Sequence, residues 1–232
     1  MNADIELTIL LPSYLEEENL RILLPRLTET LVRMAVSHEI LVIDTREPMD
    51  HTREVCLQHG AAYISRESGN YFGDAVRTGI KHAKGENIVF MDADGSHSPE
   101  FIPAMYQFLK EYDIVIASRY VEGGGTDNIK TLVWMSLILN YIYALVLRLK
   151  CKDVSNSFKI YRSSLLKGLI LRCNNFDIVE EILFKIAKNN SMVRIKEVPF
   201  TFKKRMFGET KRDLLLFIFT FIVTIVKLRF GR

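Results

Sequence analysis

The sequence predicts an α/β protein built on a mostly parallel sheet with helices on both faces, and three observations carry that expectation. Short β-rich runs alternate with amphipathic segments through the first half of the chain. The runs are apolar almost throughout, as strands covered on both faces are. The 232 residues are 48% hydrophobic and 25% charged, enough for one large domain, or at most two small ones, with a substantial core; disorder and fibrous structure are excluded.

Taken in order, Leu7–Leu11 reads as the first strand, stopped by Pro12, and Glu16-Glu17-Glu18 suits the positive end of a helix over Asn19–Ala35. Strands follow at Glu39–Ile43, Ala62–Ser65, Asn87–Met91 and Asp113–Ala117, separated by helices over Thr52–Gln58, Phe72–Ala83 and Pro99–Glu111. Within GNYFGDAVRTG (69–79), which lacks the ending of a Walker loop, Gly79 permits close helix packing and Gly73 a tight turn. Beyond Ala117 the alternation stops. Gly123–Gly125 opens a loop, the uncharged stretch Thr131–Leu147 follows, and helices near Ser163–Leu171 and Asp177–Lys188 precede a strand-like Met192–Val198. No internal repeat, low-complexity segment or linker marks a second domain.

Charge and cysteine content narrow the function. Lys and Arg total 31 against 28 Asp and Glu, a net charge of +3, so no global basic field points to a nucleic-acid partner. Cys56, Cys151 and Cys173 show neither C-x-x-C spacing nor an even count, which fits a reducing, cytosol-facing environment. The acidic start, MNADIE, is unlike a signal peptide. Mean hydropathy is nonetheless +0.08, and the excess lies in Thr131–Leu147 and the tail Leu214–Val226, both shorter than the roughly 20 residues of a spanning helix.

In a parallel sheet the ligand crevice lies beyond the carboxyl ends of the strands. Three clusters fall there: Pro12-Ser13-Tyr14-Leu15-Glu16, Asp44, and Asp92-Ala93-Asp94. Strand alternation would point Asp92 and Asp94 to one side, where they can hold a hard divalent cation; the alternative is an acidic turn that caps the helix after Pro99. Tyr14 can stack on a base, and Glu16 and Asp44 can accept from a ribose or base N–H, although Glu16 also suits a helix start. A third set is cationic: Arg119, Arg162, Lys203, Lys204, Arg205, Lys211 and Arg212. From Lys196 to Arg212 six basic residues face two acids beside the apolar tail, which suits a phosphorylated substrate, anionic headgroups or simply a solvated face. The histidines, His97 among them, show no zinc-type spacing, and no Ser/His/Asp arrangement is present.

The order of these motifs carries more than any one of them. P-S-Y-x-E, Asp after the second strand, A-V-R-T-G, M-D-A-D-x-S-H-x-P-E, S-R-Y-x-x-G-G-G, D-V-S-N-S-F-K-I-Y-R (Asp153–Arg162) and the R-x-x-G-x-T-K of Arg205–Lys211 together resemble the dolichol-phosphate mannose synthase group of family 2 glycosyltransferases, over about residues 5–212. The resemblance implies a GT-A fold with a mixed sheet and inverting transfer of a hexose from a GDP- or UDP-sugar to a polyprenyl phosphate. It implies that Pro12, Tyr14, Glu16, Val42 and Asp44 hold base and ribose, that Asp92, Ala93 and Asp94 hold the diphosphate through Mg²⁺ or Mn²⁺, and that Arg119, Arg205 and Lys211 meet phosphates. Asp94, Arg119 and Arg205 are then the expected catalytic residues.

Leu15 stands where the group usually has Asn, Thr45-Arg46-Glu47 replaces its second Asp with Gly-Ser, and Lys159 stands where Arg is commoner. A polyprenyl acceptor implies a membrane surface, and the whole predicts a catalytic domain over 1–212, with 131–149 facing the bilayer from the acceptor side, and an associating tail over 213–232. Trp134, Tyr141 and Tyr143 suit an interface on the cytoplasmic face, with monotopic attachment expected and core burial of Thr131–Leu147 the alternative. Two other readings stay open: a different glycolipid or polysaccharide acceptor, and a non-catalytic member that binds lipid or a partner.

Overall fold

The computed structural model describes residues 5–208 and 214–230. The five early strands form close to their expected spans: β1 (Leu7–Pro12), β2 (His38–Asp44), β3 (Ala62–Ser65), β4 (Asn87–Phe90) and β5 (Ile114–Ser118). Between them lie α1 (Glu17–Met34), α2 (Thr52–Gln58) and α3 (Phe72–His82). The segment expected to be one helix over Pro99–Glu111 is instead a short α4 (Ile102–Tyr106) between 3₁₀ turns at Pro99–Phe101 and Gln107–Lys110. Pro99 and Pro103, each tolerated only in a first turn, fix two separate starts there.

The second half contains β6 (Gly125–Thr126), α5 (Lys130–Leu147), β7 (Lys159–Arg162), α6 (Ser163–Leu166), α7 (Ile178–Asn189), β8 (Ile195–Pro199), β9 (Thr201–Phe202) and α8 (Leu214–Phe230). The helix expected to Leu171 stops at Leu166, shortly before Gly168 at φ +92°, a conformation that closes helices. The main sheet has seven strands in the order β3-β2-β1-β4-β7-β5-β8, and β6 pairs with β9 apart from it. All neighbours in the main sheet are parallel except β7, which runs antiparallel to both β4 and β5. The sheet is therefore mixed.

Each face of the sheet is covered by its own apolar layer. Leu7, Ile9 and Leu11 pack with α1, α2 and α4, while Leu10, Ile88, Phe90 and Tyr161 pack with α3, α5, α7 and α8. Gly79 lets α3 press onto β1, since a Cβ there would meet Leu10 Cδ1 at 2.3 Å. Gly73 makes no turn; it lies in the first turn of α3, where a Cβ would meet the Cys173 carbonyl oxygen at 2.3 Å.

α5 is long and apolar enough to cross a membrane by length and composition, with a mean hydropathy of 1.5 and only 17% of its residues buried. It is thus not a core helix. Asn140, Tyr143 and Leu147 anchor it, whereas Trp134, Ile138, Tyr141 and Leu145, at helical spacing, form an exposed stripe. α8 packs against it, with Tyr143 and Phe221 edge to face at 4.2 Å, and Thr224 Oγ1 donates to Asp177 Oδ2 at the start of α7 (2.6 Å).

Candidate active site

The loops after β1, β4 and β5, the loop before β7, the segment after β9 and one side of α5 enclose a cleft of about 770 Å³ at the carboxyl edge of the parallel strands. Pro12, Tyr14, Glu16, Asp92, Ala93, Asp94, Arg119 and Arg205, all expected at the site, line it.

β4 ends at Phe90, with Met91 N still donating to Leu10 O (3.1 Å), so Asp92 and Asp94 lie on a turn and not on strand alternation. Side-chain bonds orient them instead. Ser157 Oγ donates to Asp92 Oδ1 at 2.9 Å, and Ser96 donates to Asp94 Oδ1 from its N (3.0 Å) and its Oγ (2.6 Å). Among the described residues neither Oδ2 takes a hydrogen bond. Asp94 is not the cap of the following helix, since Ser98 holds that position. Beneath the turn His97 is fully buried, and its Nδ1 accepts from Asp92 N at 2.9 Å. Burial pushes its pKa down and keeps it neutral.

The cations are held by carboxylates. Arg119 donates to Asp153 from Nε (2.8 Å) and Nη2 (2.7 Å), and its backbone N donates to the same carboxylate (2.8 Å). Burial opposes both charges, but the pair outweighs it, raising Arg119 and lowering Asp153. The guanidinium lies over Tyr120 and Phe202, and among the described residues Nη1 takes no acceptor. Arg205 lies in the segment after β9, where Lys203 N donates to Ser96 O (3.2 Å) and Met206 N to Asp94 O (2.9 Å). Its Nη2 meets Glu16 Oε1 and Oε2 at 3.0 and 3.1 Å. Glu16 therefore serves as a partner of Arg205 as well as a rim residue.

Two expected residues lie elsewhere. Val42 is fully buried, and Asp44 is 2% exposed, accepts from Tyr63 Oη (3.3 Å) and is raised by burial; neither lines the cleft. Lys211 lies outside the described residues, as does Arg212. Arg162, 3.6 Å from Asp113, belongs to another surface.

Sequence reasoning missed several participants. Arg66 lines the cleft and ties it together, its Nη2 donating to Ser13 O and its Nη1 to Asn70 O and Tyr71 O. Lys204, by contrast, was among the expected cations, and it lines the cleft. Asp153 and Ser157 lie in the quoted D-V-S-N-S-F-K segment, which was the available signal. Lys159 is fully buried, its pKa pushed down by burial to about 8, and its Nζ donates to the carbonyls of Val154 and Asn156, fixing that loop.

The Asp92 and Asp94 donor set fits a hard divalent cation of the magnesium type. Among the described residues the Oδ2 atoms of both take no hydrogen bond, and no group of three or more His, Cys, Asp or Glu is gathered there or elsewhere. A cation bound through two carboxylates keeps its other positions for substrate oxygens and water.

The sheet order, with one antiparallel strand beside a carboxylate-bearing turn, is the GT-A fold of glycosyltransferases. Glucosyl-3-phosphoglycerate synthase from Mycobacterium tuberculosis, solved with Mn²⁺, uridine diphosphate and glucosyl-3-phosphoglycerate, superposes with a TM-score of 0.74 at 16% identity, covering 97% of this chain and 80% of that one. In sequence, the profile of glycosyl transferase family 2 matches residues 8–170, and the chain belongs to that family. A dolichol-phosphate mannosyltransferase from Pyrococcus furiosus is 33% identical over 213 residues, 89% of this chain and 59% of that one, so the chain spans well under two thirds of that relative. An undecaprenyl-phosphate mannosyltransferase from Micrococcus luteus is 29% identical over 214 residues, 87% of this chain and 85% of that one.

Proposed function

We propose that the protein is an inverting glycosyltransferase that moves a hexose, mannose or glucose, from a GDP- or UDP-sugar to a polyprenyl phosphate of the dolichyl or undecaprenyl type. The observation that carries this reading is the composition of the cleft. Asp92, Asp94, Arg119, Lys204 and Arg205 line one part of it, while Leu132, Val133, Met135 and Leu139 of α5 line another, so an anionic headgroup and an apolar chain are both accommodated. The relatives named for dolichol and undecaprenyl phosphate support the same acceptor class.

In the reaction an acceptor phosphate oxygen forms a bond to the anomeric carbon as the bond from that carbon to the diphosphate breaks. The nucleophile is already anionic, so no general base is required; the task is to bring two anions together and stabilise the leaving group. Arg119 and Arg205 are suited to it, because a guanidinium is always charged and donates charge-assisted hydrogen bonds to phosphate oxygens. Asp92 and Asp94 would hold Mg²⁺ or Mn²⁺, which when bound neutralises charge on the diphosphate. Pro12, Tyr14 and Glu16 border the side assigned to base and ribose, the role also assigned to Val42 and Asp44, and Lys211 adds a further phosphate contact.

The catalytic domain spans 1–212 and the associating tail 213–232. The exposed stripe of α5 rests in the cytoplasmic leaflet of the membrane, and the helix does not cross it: at its midpoint Asn140 Nδ2 donates to Ser155 Oγ (2.9 Å) and Ser155 N to Asn140 Oδ1 (2.8 Å), which binds it to the site loop. The test is incubation of the purified protein with Mn²⁺ or Mg²⁺, a polyprenyl phosphate in detergent and labelled GDP- and UDP-hexoses. Lipid-linked sugar is the expected product, and none across the panel overturns the reading.

A further inference from the structure

His97 enters no step above, yet it sits in an unusual place. Its ring is fully buried in an aromatic box, stacked on Phe158 at 4.8 Å and 16°, with the edges of Phe202 and Phe200 at 5.5 and 6.3 Å. Nε2 finds no hydrogen-bond partner among the described residues. A buried polar atom without a good partner is destabilising, so packing alone would favour phenylalanine in such a box. The one hydrogen bond of regular geometry among the described residues is at Nδ1, which accepts from the backbone N–H of Asp92 at 2.9 Å, and the Asn156 side chain interacts with the ring more weakly. That bond requires the ring proton to sit on Nε2, which lies 3.9 Å from Asp92 Oδ2.

We infer that His97 is a positioning residue that sets the orientation of the Asp92 carboxylate for its divalent cation; this rests on the reading of Asp92 and Asp94 as cation ligands. Asp92 is then held at two points, its backbone N by His97 and its Oδ1 by Ser157 Oγ, while its Oδ2 takes no hydrogen bond among the described residues and its side chain stays 28% exposed. Ser157 and Phe158 are consecutive, one bonding Asp92 directly and the other supporting the ring that bonds it. The segment before β7 thereby fixes the carboxylate that follows β4. Groups supporting a metal ligand in this way change metal affinity roughly 10–100-fold when removed.

Three variants separate this role from simple packing. In His97→Phe the ring stack remains and the acceptor is lost; His97→Asn places its amide oxygen near the former Nδ1, and His97→Gln near the former Nε2. Mn²⁺ uptake by the full-length protein, followed by the electron paramagnetic resonance of free Mn²⁺ with GDP or UDP present, is expected to fall roughly 10–100-fold in the Phe and Gln variants and to stay close to wild type in Asn. A packing role reverses that order, with Phe the best tolerated.

The inference is overturned if Phe binds Mn²⁺ as wild type does, or if Asn binds no better than Gln. Should the variants not fold, nitrogen-15 shifts of the His97 ring in wild-type protein decide it, because a proton on Nδ1 is incompatible with the bond from Asp92. Wild-type protein that takes up no Mn²⁺ removes the cation site and this inference with it; wild-type uptake without the expected ranking removes the inference alone.

Discussion

Replacing Asp153 by asparagine tests how the cationic side of the cleft is held. The Asp153 side chain is fully buried and that of Arg119 is 11% exposed. Oδ2 accepts from Arg119 N and Nε, both at 2.8 Å, and Oδ1 from Arg119 Nη2 at 2.7 Å and Asn156 N at 3.2 Å. Asparagine keeps one acceptor, turns an NH₂ towards donors and leaves the guanidinium buried without its counter-charge. Breaking a buried pair on one side is destabilising by about 3–5 kcal/mol. Against a total of about 5–15 kcal/mol, the variant folds with a reduced margin, and at roughly 2–4 °C per kcal/mol its melting temperature falls by about 6–20 °C.

Acid supplies the sign. Burial alone would raise the Asp153 carboxyl, but Arg119 and the backbone donors hold it below the ordinary carboxylate range. Its contribution is therefore complete above the unfolded value of about 3.9 and is lost as pH falls through the folded one. Urea unfolding of both proteins, followed by circular dichroism, is expected to show a gap of at least about 3 kcal/mol at pH 7 that narrows below about pH 4. A gap under about 1 kcal/mol at pH 7, the size of a surface pair, or one unchanged in acid would refute the argument.

Leu15 sits at φ 54° and is 42% exposed, a left-handed conformation that is unfavourable for leucine by about 1–2 kcal/mol and milder for asparagine. Leu15→Asn is expected to raise stability by about 0.5–1 kcal/mol in denaturant unfolding, and no gain would show that the backbone bears no strain there. Asp94→Ala should abolish metal-dependent nucleotide binding in calorimetry, whereas unchanged affinity would reduce the Asp-x-Asp to a turn. Trp134, Tyr141 and Leu145 are each about two-thirds exposed, so their joint replacement by glutamate should leave thermal stability unchanged and lower sedimentation with anionic liposomes by at least about tenfold; equal sedimentation would shift the anchor to the tail.

Much of the fold was legible because the early strands are contiguous apolar runs and the helices between them are amphipathic, so local pattern and tertiary burial agree. β7 escaped because it has four residues and begins with Lys159, a charge whose burial is made possible only by the carbonyls of Val154 and Asn156. At the site, the residue types at the strand ends located the Asp-x-Asp and its cations, but not their partners. Asp153 reaches Arg119 across 34 positions, and Ser157 reaches Asp92 across 65, distances over which sequence pattern carries no signal. Asp44 was expected at the rim and is instead buried as the last residue of β2, paired with Ser65 and accepting from Tyr63 Oη, because the strand runs one residue further than its apolar run.

The reversed strand also bears on the order of assembly. β3, β2, β1 and β4 form one block and β5 and β8 another, and β7 alone joins them. Until the chain has been made as far as Arg162, the blocks have no hydrogen-bonded connection, and Asp92 and Arg119, each at the end of its own block, have no fixed distance between them. Pairing over so long a separation is slow and late. The rim of the cleft thus waits for a strand that enters between the two blocks, and a ribosome-bound chain that has not yet emitted β7 carries Asp92 and Asp94 without the cleft around them.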